Sequence, residues 1–178
     1  GVPVLNRSNA KERKIAGMFV STMPLTLVIN ETETVGELSA KITKEHMNIF
    51  RHQKYPYSSI LQSLREKQNF QGNLYDVMIS YQNAQTDTGA DTKWYSNGAS
   101  EVPFVIHIDN RDSHECHTIN VDYQSEVFGQ ETEVRYIIER LEYIIEQIVE
   151  NYDKTIKDIH MIPEKEWKQV VYDFNDTY

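Results

Sequence analysis

The strongest structural signal in the sequence is a stretch, residues 131–152, whose apolar side chains recur at helical spacing. They are Val134, Ile137, Ile138, Leu141, Ile144, Ile145, Ile148, Val149 and Tyr152. Positions three or four apart lie on the same side of a helix, so these residues form one continuous stripe. The stretch therefore predicts a long amphipathic helix whose apolar face is part of a protein core, rather than a groove for lipid or a partner.

Three further helices are predicted from signals at their starts. Thr34 and Glu37 stand at capping-box spacing, where each side chain can bond a free backbone N–H, and the apolar residues that follow predict a helix over residues 35–52. Pro56 and Pro163 each suit a first helical turn, where the missing N–H of proline costs nothing. They predict a short second helix and a short closing helix.

Strands are predicted wherever apolar residues alternate or cluster. Residues 102–110 and 116–124 alternate, and the polar residues 110–115 between them predict a hairpin loop. Residues 2–5 and 74–83 predict further strands, and residues 17–29 predict a long, mostly buried one. The order of elements predicts an α/β (α+β layered) fold in which helices pack on a mixed β-sheet.

The composition narrows the class of protein. The 178 residues carry a formal net charge of -9, which argues against a nucleic-acid partner because a phosphate-binding surface needs clustered Lys and Arg. No apolar run reaches membrane-spanning length, so no membrane association is expected. The single cysteine, Cys116, cannot form an internal disulfide, and a reducing cytoplasmic location is expected.

The sequence HECH offers a possible metal site. His114, Cys116 and His117 are ligands that zinc accepts, and a hydrolase dependent on such a metal is one hypothesis for function. On a strand, however, His114 and Cys116 would face one side and His117 the other, so a fourth donor would have to come from His107 or Asp109. We therefore interpret the segment as the polar end of a hairpin and expect no bound metal.

A series of motifs connects the chain to a known family. In order they are GVPVLNR, GMFVSTMPL, HQKYPYS, LYDVMISYQN, VDYQSEVF and FNDT. Their order and spacing resemble the downstream motifs of nonribosomal peptide synthetase condensation domains. The matching residues are Gly1, Pro3, Val4, Arg7, Gly17, Phe19, Val20, Thr22, Pro24, Leu25, His52, Gln53, Pro56, Tyr123 and Phe128. Ser21 replaces the family's common Asn, and Tyr57 and Ser58 replace Phe and Glu.

The resemblance implies a chloramphenicol-acetyltransferase-like fold, of which this chain would form most of the second of two lobes. Residues 1–160 would be the C-terminal lobe, incomplete at its N-terminus, and residues 161–178 the closing helix and a linker toward an adenylation domain. The family's catalytic motif, His-His-x-x-x-Asp-Gly, belongs to the first lobe. None of the six histidines here is followed four positions later by Asp, so no catalytic residue is expected in this chain.

The same resemblance assigns roles to individual residues. Ser21 and Thr22 are expected to face the substrate tunnel and a pantetheine arm, against the simpler interpretation of strand packing. Structural roles are expected for Arg7, Gly17, Phe19, His52, Gln53, Pro56, Tyr123 and Phe128. A general-base role is conceivable for His52, but a histidine at the negative end of a helix needs no chemistry to explain it.

The implied function is peptide-bond formation between carrier-bound acyl and aminoacyl thioesters, with this chain supplying tunnel wall and acceptor-side surface. The implied partners are the missing N-terminal lobe and the carrier and adenylation domains, whose phosphopantetheine arms replace any directly bound cofactor. A self-sufficient docking module for a carrier protein or for a neighbouring subunit, and a lobe of an epimerization domain, are the alternatives. Residues 85–100, with Trp94 and Tyr95, are expected to form an arm that crosses between lobes and, without its partner lobe, supports a homodimer.

Overall fold

The computed structural model describes residues 1–82, 95, 98–110 and 117–176. These residues form two compact units. The first, called the sheet unit, comprises residues 1–26 and 46–127, and the second, called the helical unit, comprises residues 27–45 and 128–178. Most of the expected crossing arm and of the expected hairpin loop lies outside the described residues, including Trp94, His114 and Cys116.

The described elements include five strands and five α-helices. Their bounds are β1 Val2–Val4, α1 Ala10–Arg13, β2 Ser21–Met23, α2 Val35–His52, α3 Tyr57–Gln68, β3 Val77–Gln82, β4 Phe104–Asp109, β5 Thr118–Tyr123, α4 Glu131–Glu150 and α5 Glu164–Val171. Two short 3-10 turns, Ile156–Asp158 and Asp173–Asn175, follow α4 and α5. None of the helices in the described part of the chain combines the length and apolar composition needed to span a bilayer.

The sheet unit contains the predicted mixed β-sheet. Strand β4 lies between β3, which runs parallel to it, and β5, which runs antiparallel. Strand β1 pairs with β2 and also reaches β3, because the Ile79 N–H donates to the Gly1 carbonyl (3.0 Å). One face of β4 carries the buried, apolar Phe104 and Ile106, whereas the other carries the buried Val105 together with His107 and Asp109. The alternation in the sequence therefore marks a strand with one apolar face and one face that mixes apolar and polar side chains.

The prediction of a long buried strand over residues 17–29 was wrong. The strand spans Ser21–Met23 alone, and residues on either side of it are exposed, including Met18 at 91% and Val28 at 73%. Two local features shorten the strand. Gly17 adopts a φ of 153°, which bends the chain before it, and Pro24 has no N–H to donate to a sheet after it.

The helix-start signals were accurate. The Thr34 N–H donates to Glu37 Oε2 (2.9 Å) and the Glu37 N–H donates to Thr34 Oγ1 (3.2 Å), so the predicted capping box forms at the start of α2. Helices α3 and α5 begin directly after Pro56 and Pro163, as predicted. The residues that satisfy the free N–H groups at a helix start are neighbours in sequence. Such helix starts can therefore be predicted without tertiary context.

The apolar stripe of α4 is only partly buried. Val134 is buried and the middle of the stripe is half-buried, but Ile145 is 47% exposed and Val149 is 77% exposed. The expectation that the whole stripe is core was therefore wrong at its C-terminal end. The reason is that the chain after α4 folds back against another side of the helix, where the polar side chain of Gln147 is buried.

Gln147 holds that returning segment by bonding its backbone. Its Nε2 donates to the His160 carbonyl (2.8 Å), and its Oε1 accepts from the His160 N–H (2.9 Å) and from Lys154 Nζ (3.2 Å). Nearby, Arg140 forms a two-pronged ion pair with Glu166 and so holds α5 on α4. The helical unit is thus held together by polar bonds as well as by its apolar stripe.

We expect Gln147→Ala to destabilise the protein by about 2 kcal/mol, because it removes the hydrogen bonds that the buried Gln147 side chain makes with the His160 backbone. Urea unfolding followed by circular dichroism measures the loss. Glu146→Ala, at an exposed neighbouring position on α4, is the control and should change stability by less than about 0.5 kcal/mol. Equal effects of the two substitutions would contradict this role for Gln147.

Candidate functional site

The motif residues Arg7, Gly17 and Phe19 meet in one cluster. The Arg7 guanidinium donates to the carbonyls of Glu12, Ile15 (2.6 Å) and Gly17 (2.9 Å). It also lies over the Phe19 ring, 4.1 Å from the ring centroid. An Arg fork can satisfy several carbonyls at once, whereas Lys cannot do so with the same planar geometry. Arg7 therefore holds the turn that leads from β1 to β2.

A second cluster joins the first motif to the helix junction HQKYPYS. Lys54 Nζ contacts Glu12 Oε2 (2.9 Å) and the Asn6 carbonyl (2.8 Å), and Glu12 also accepts from the Ser8 N–H (2.8 Å). The Lys54 hydrogen bond, followed by the Ser8 backbone bond, lowers the pKa of Glu12 from 4.5 to about 2. Two motifs that are more than forty residues apart in sequence are thus linked by one ionised carboxylate.

The other residues of the junction have structural contacts. His52 is the exposed last residue of α2, and its carbonyl accepts from the Tyr55 N–H (2.9 Å). Gln53 Nε2 donates to the Phe50 carbonyl (3.0 Å), which satisfies a free acceptor at the helix end. Pro56 precedes α3. His52 does not line the cavity described next.

A cavity of about 530 Å³ lies in the sheet unit, against the face of β4 that carries Val105 and His107. Its described lining residues are Met18, Thr22, Tyr75, Met78, Tyr95, Ala99, Ser100, Glu101, Val102, Val105, His107 and Asp122. They come from β2, β3, β4 and β5 and from the segments that lead into β2, β3 and β4. A cavity of this size fits a small molecule or one end of a larger one.

The structure separates the two residues that were expected to face a tunnel. Thr22 lines the cavity, while Ser21 precedes it on β2 and alternates to the opposite face. Thr22 Oγ1 lies 3.7 Å from Met78 Sδ and also bonds the Tyr75 side chain. Burial raises the pKa of Tyr75, and the neighbouring Tyr57 raises it further. Tyr75 therefore remains a neutral hydroxyl at neutral pH, able to donate or accept.

Tyr57, which replaces the common Phe of the family motif, supports this wall of the cavity. Its ring packs on Tyr75 with centroids 5.4 Å apart, and its hydroxyl accepts from the Leu74 N–H (3.1 Å). The substitution adds an acceptor that a phenylalanine lacks. It thereby fixes the backbone directly before Tyr75.

The sequence did not single out the pair His107 and Asp122. His107 Nε2 lies 3.3 Å from Asp122 Oδ2, and both side chains line the cavity. From the sequence, His107 is a candidate only as a zinc ligand. The available signal was the alternation of side chains along β4 and β5, but the pairing register that makes the two residues neighbours is a property of the folded sheet.

The remaining motif residues lie near the end of β5. Tyr123 is the last residue of β5, pairs with Phe104 and faces away from Asp122. Phe128 is half-buried in the segment before α4. Of HECH, His117 is described and stacks on Tyr81 with centroids 5.9 Å apart. Within the described residues there is no group of three His, Cys, Asp or Glu that could hold a metal ion.

We expect Lys54→Met to raise the pKa of Glu12 back toward 4.5, because it removes the largest cause of the depression. A carboxyl NMR titration measures the pKa directly. Lys14→Met, at an exposed position in the same region, is the control and should leave the pKa near 2.

The lowered pKa of Glu12 determines how the stability of the protein depends on pH. Because the Glu12 pKa is lower in the folded protein than in the unfolded chain, its stabilising contribution is complete above pH 4.5 and is lost as the pH falls toward 2. In Lys54→Met this part of the acid dependence should shrink. An unchanged acid dependence would show that Lys54 does not depress the pKa of Glu12.

Comparisons with known proteins agree with the motif series and with the fold. The family model described as Condensation domain matches residues 1–171. Surfactin synthase subunit 1 of Bacillus subtilis (strain 168) is 31% identical over 93% of this chain and 5% of its own length. Gramicidin S synthase 2 of Brevibacillus brevis is 27% identical over 99% of this chain and 4% of its own length. The chain therefore spans a small fraction of the curated relatives it matches.

Solved structures share the fold. The first condensation domain of the calcium-dependent antibiotic synthetase, in complex with a substrate analogue, matches with a TM-score of 0.75 and 15% identity, over 90% of this chain and 36% of that chain. A four-domain nonribosomal peptide synthetase bound to AMP and glycine matches with a TM-score of 0.76 and 14% identity, over 92% of this chain and 14% of that chain. The expected chloramphenicol-acetyltransferase-like fold is confirmed. By its motifs, its fold and the match over residues 1–171, the chain belongs to the condensation-domain family.

Proposed function

We propose that this chain serves peptide-bond formation between carrier-bound acyl and aminoacyl thioesters, as the C-terminal lobe of a condensation domain. The observation that carries the proposal is the family match over residues 1–171, in a chain that spans 36% of a solved condensation domain. The curated relatives named above are synthases of surfactin and gramicidin S. A chain that matches one part of such a domain acts together with the rest of it.

The cavity supports a role in holding the thioester arm. Thr22 and Tyr75 place hydroxyl groups on its wall, beside the apolar Met78 and Val105. A phosphopantetheine arm alternates amide groups with short alkyl segments, so hydroxyls beside apolar side chains are complementary to it. Ser21, on the opposite face of β2, would act on the arm only indirectly.

The catalytic histidine would come from the lobe that precedes this chain. That histidine would position the acceptor amine or accept its proton. Carrier and adenylation domains would deliver and load the two thioesters. Residues 1–160 would form the lobe, while residues 161–178 would hold α5 and the linker toward the adenylation domain. The ion pair of Arg140 with Glu166 supports a closing helix that stays on α4.

We expect no peptide-bond formation from this chain alone, because it holds no catalytic motif. Addition of the preceding lobe should restore it, measured by mass spectrometry of the carrier-bound product. Turnover by this chain alone would contradict the proposal. Binding of a loaded carrier protein by the chain alone, with micromolar affinity, would favour the docking-module alternative.

In the two-lobe protein, Thr22→Val should lower kcat/KM roughly fivefold, because it removes about one hydrogen bond to the arm. Ser21→Ala, one residue away on the opposite face of β2, is the matched control and should leave kcat/KM within about twofold. Equal effects of the two substitutions would show that the cavity does not hold the arm.

We further expect the isolated chain to form dimers at micromolar concentration. Strand β3 exposes Val77, Ile79 and Tyr81, and Tyr81 lines a second cavity together with the exposed Leu5 and Val20. Light scattering should show a dimer that Ile79→Lys disrupts and that the control Val28→Lys, in the helical unit, does not. A monomer across the whole concentration range would contradict the expectation that this surface drives self-association.

A further inference from the structure

The cavity of the sheet unit carries an unusual set of charges for a site that would take the uncharged pantetheine part of the arm. Besides the tyrosines Tyr75 and Tyr95, three ionisable residues line it: Glu101, His107 and Asp122. Among the described lining residues there is no Lys or Arg. With His107 neutral the three residues carry two negative charges, and with His107 protonated they still carry one. The cavity therefore favours a cation in either state of the histidine.

The geometry of the pair makes Asp122 a defined acceptor. His107, on β4, approaches one oxygen of the carboxylate, Oδ2, at 3.3 Å, and the second oxygen of Asp122 can accept from a ligand. The Asp122 side chain is 29% exposed and that of His107 is 13% exposed. A carboxylate partly removed from water and held by a neighbour is a stronger site for a cation than a fully solvated one.

The cavity also has an apolar part, besides the polar Thr22, Tyr75, Tyr95 and Ser100. Val102 and Val105 are buried, at 6% and 3% exposure, and Met78 also belongs to this part. Apolar walls beside carboxylates suit a ligand with an alkyl stem and a charged head, since the stem leaves water while the head keeps hydrogen bonds. An inorganic cation would gain nothing from these walls.

We propose that this cavity binds an aliphatic ammonium group, with Asp122 and Glu101 accepting from the nitrogen and Val102, Val105 and Met78 covering the alkyl stem. Nearby carboxylates hold such a nitrogen in its protonated form, and a protonated amine is not a nucleophile. The bound group is therefore not the reacting amine. Under the proposed function, on which this step rests, it is the basic side chain of an aminoacyl substrate, and Glu101 and Asp122 are specificity-determining residues.

The test uses the 178-residue chain and three probes of equal length: pentylammonium, 1-pentanol and pentanoate. Binding is followed by NMR shifts of the His107 ring and of backbone amides along β4 and β5. Pentylammonium should bind at least about tenfold more tightly than 1-pentanol, and pentanoate should bind most weakly. Added salt should weaken the binding of pentylammonium and leave that of 1-pentanol unchanged.

Variants test whether the two cavity carboxylates, rather than the net negative charge of the chain, are responsible for the binding of pentylammonium. Asp122→Asn should weaken pentylammonium binding about tenfold and Glu101→Gln about threefold, because Glu101 is more exposed. Glu126→Gln, an exposed carboxylate of the same unit that does not line the cavity, is the control and should have no effect. Glu101→Gln, at an exposed position, keeps the test valid even if Asp122→Asn fails to fold.

Equal affinities for pentylammonium and 1-pentanol would overturn the proposal, as would equal effects of Glu101→Gln and Glu126→Gln. The binding measurement involves no thioester, carrier protein or second lobe. Its failure is therefore distinguishable from failure of the proposed function, which the reconstitution of peptide-bond formation tests. In the reconstituted protein, Asp122→Asn should lower kcat/KM for a lysyl acceptor more than that for a norleucyl acceptor.

Discussion

Backbone pairing along β4 is the constraint on which the sheet unit depends. This strand bonds β3 on one side in parallel and β5 on the other in antiparallel fashion, and it carries the buried residues Phe104, Val105 and Ile106. Because side chains alternate along a strand, the register that places Phe104 and Ile106 on one face places Val105 and His107 on the other. The apolar core and the ionisable residues of the cavity are therefore fixed by the same set of hydrogen bonds.

The family motifs acquire a physical meaning from their contacts. Arg7 satisfies three carbonyls of the turn before β2, and Lys54 joins that turn to the junction between α2 and α3 through Glu12. These bonds lie away from the cavity, but they hold β2, and Thr22 with it, against the sheet. Residues of a family motif can thus act by positioning a neighbouring segment rather than by contacting a ligand.

The cavity has features that suit two different ligands. Its hydroxyl groups and apolar side chains suit the uncharged part of a pantetheine arm, whereas Glu101 and Asp122 suit a cation. Both can hold if the arm and a basic side chain occupy different parts of the same space. The carboxylates would then select between substrates without taking part in the reaction. An interaction that is equally strong in the ground state and in the transition state changes the affinity for the substrate and leaves the rate of the chemical step unchanged.

The sequence alone determined the features that depend on neighbours along the chain. The capping box of Thr34 and Glu37, the helix starts after Pro56 and Pro163, and the alternation of β4 and β5 are local, so propensity and periodicity predicted them. The motif order was enough to name the family. Tertiary structure decided the rest: the shortness of β2, the exposed end of the α4 stripe, and the meeting of His107 with Asp122. Each depends on which segment packs where, and a one-dimensional pattern carries no register between strands that are distant in sequence.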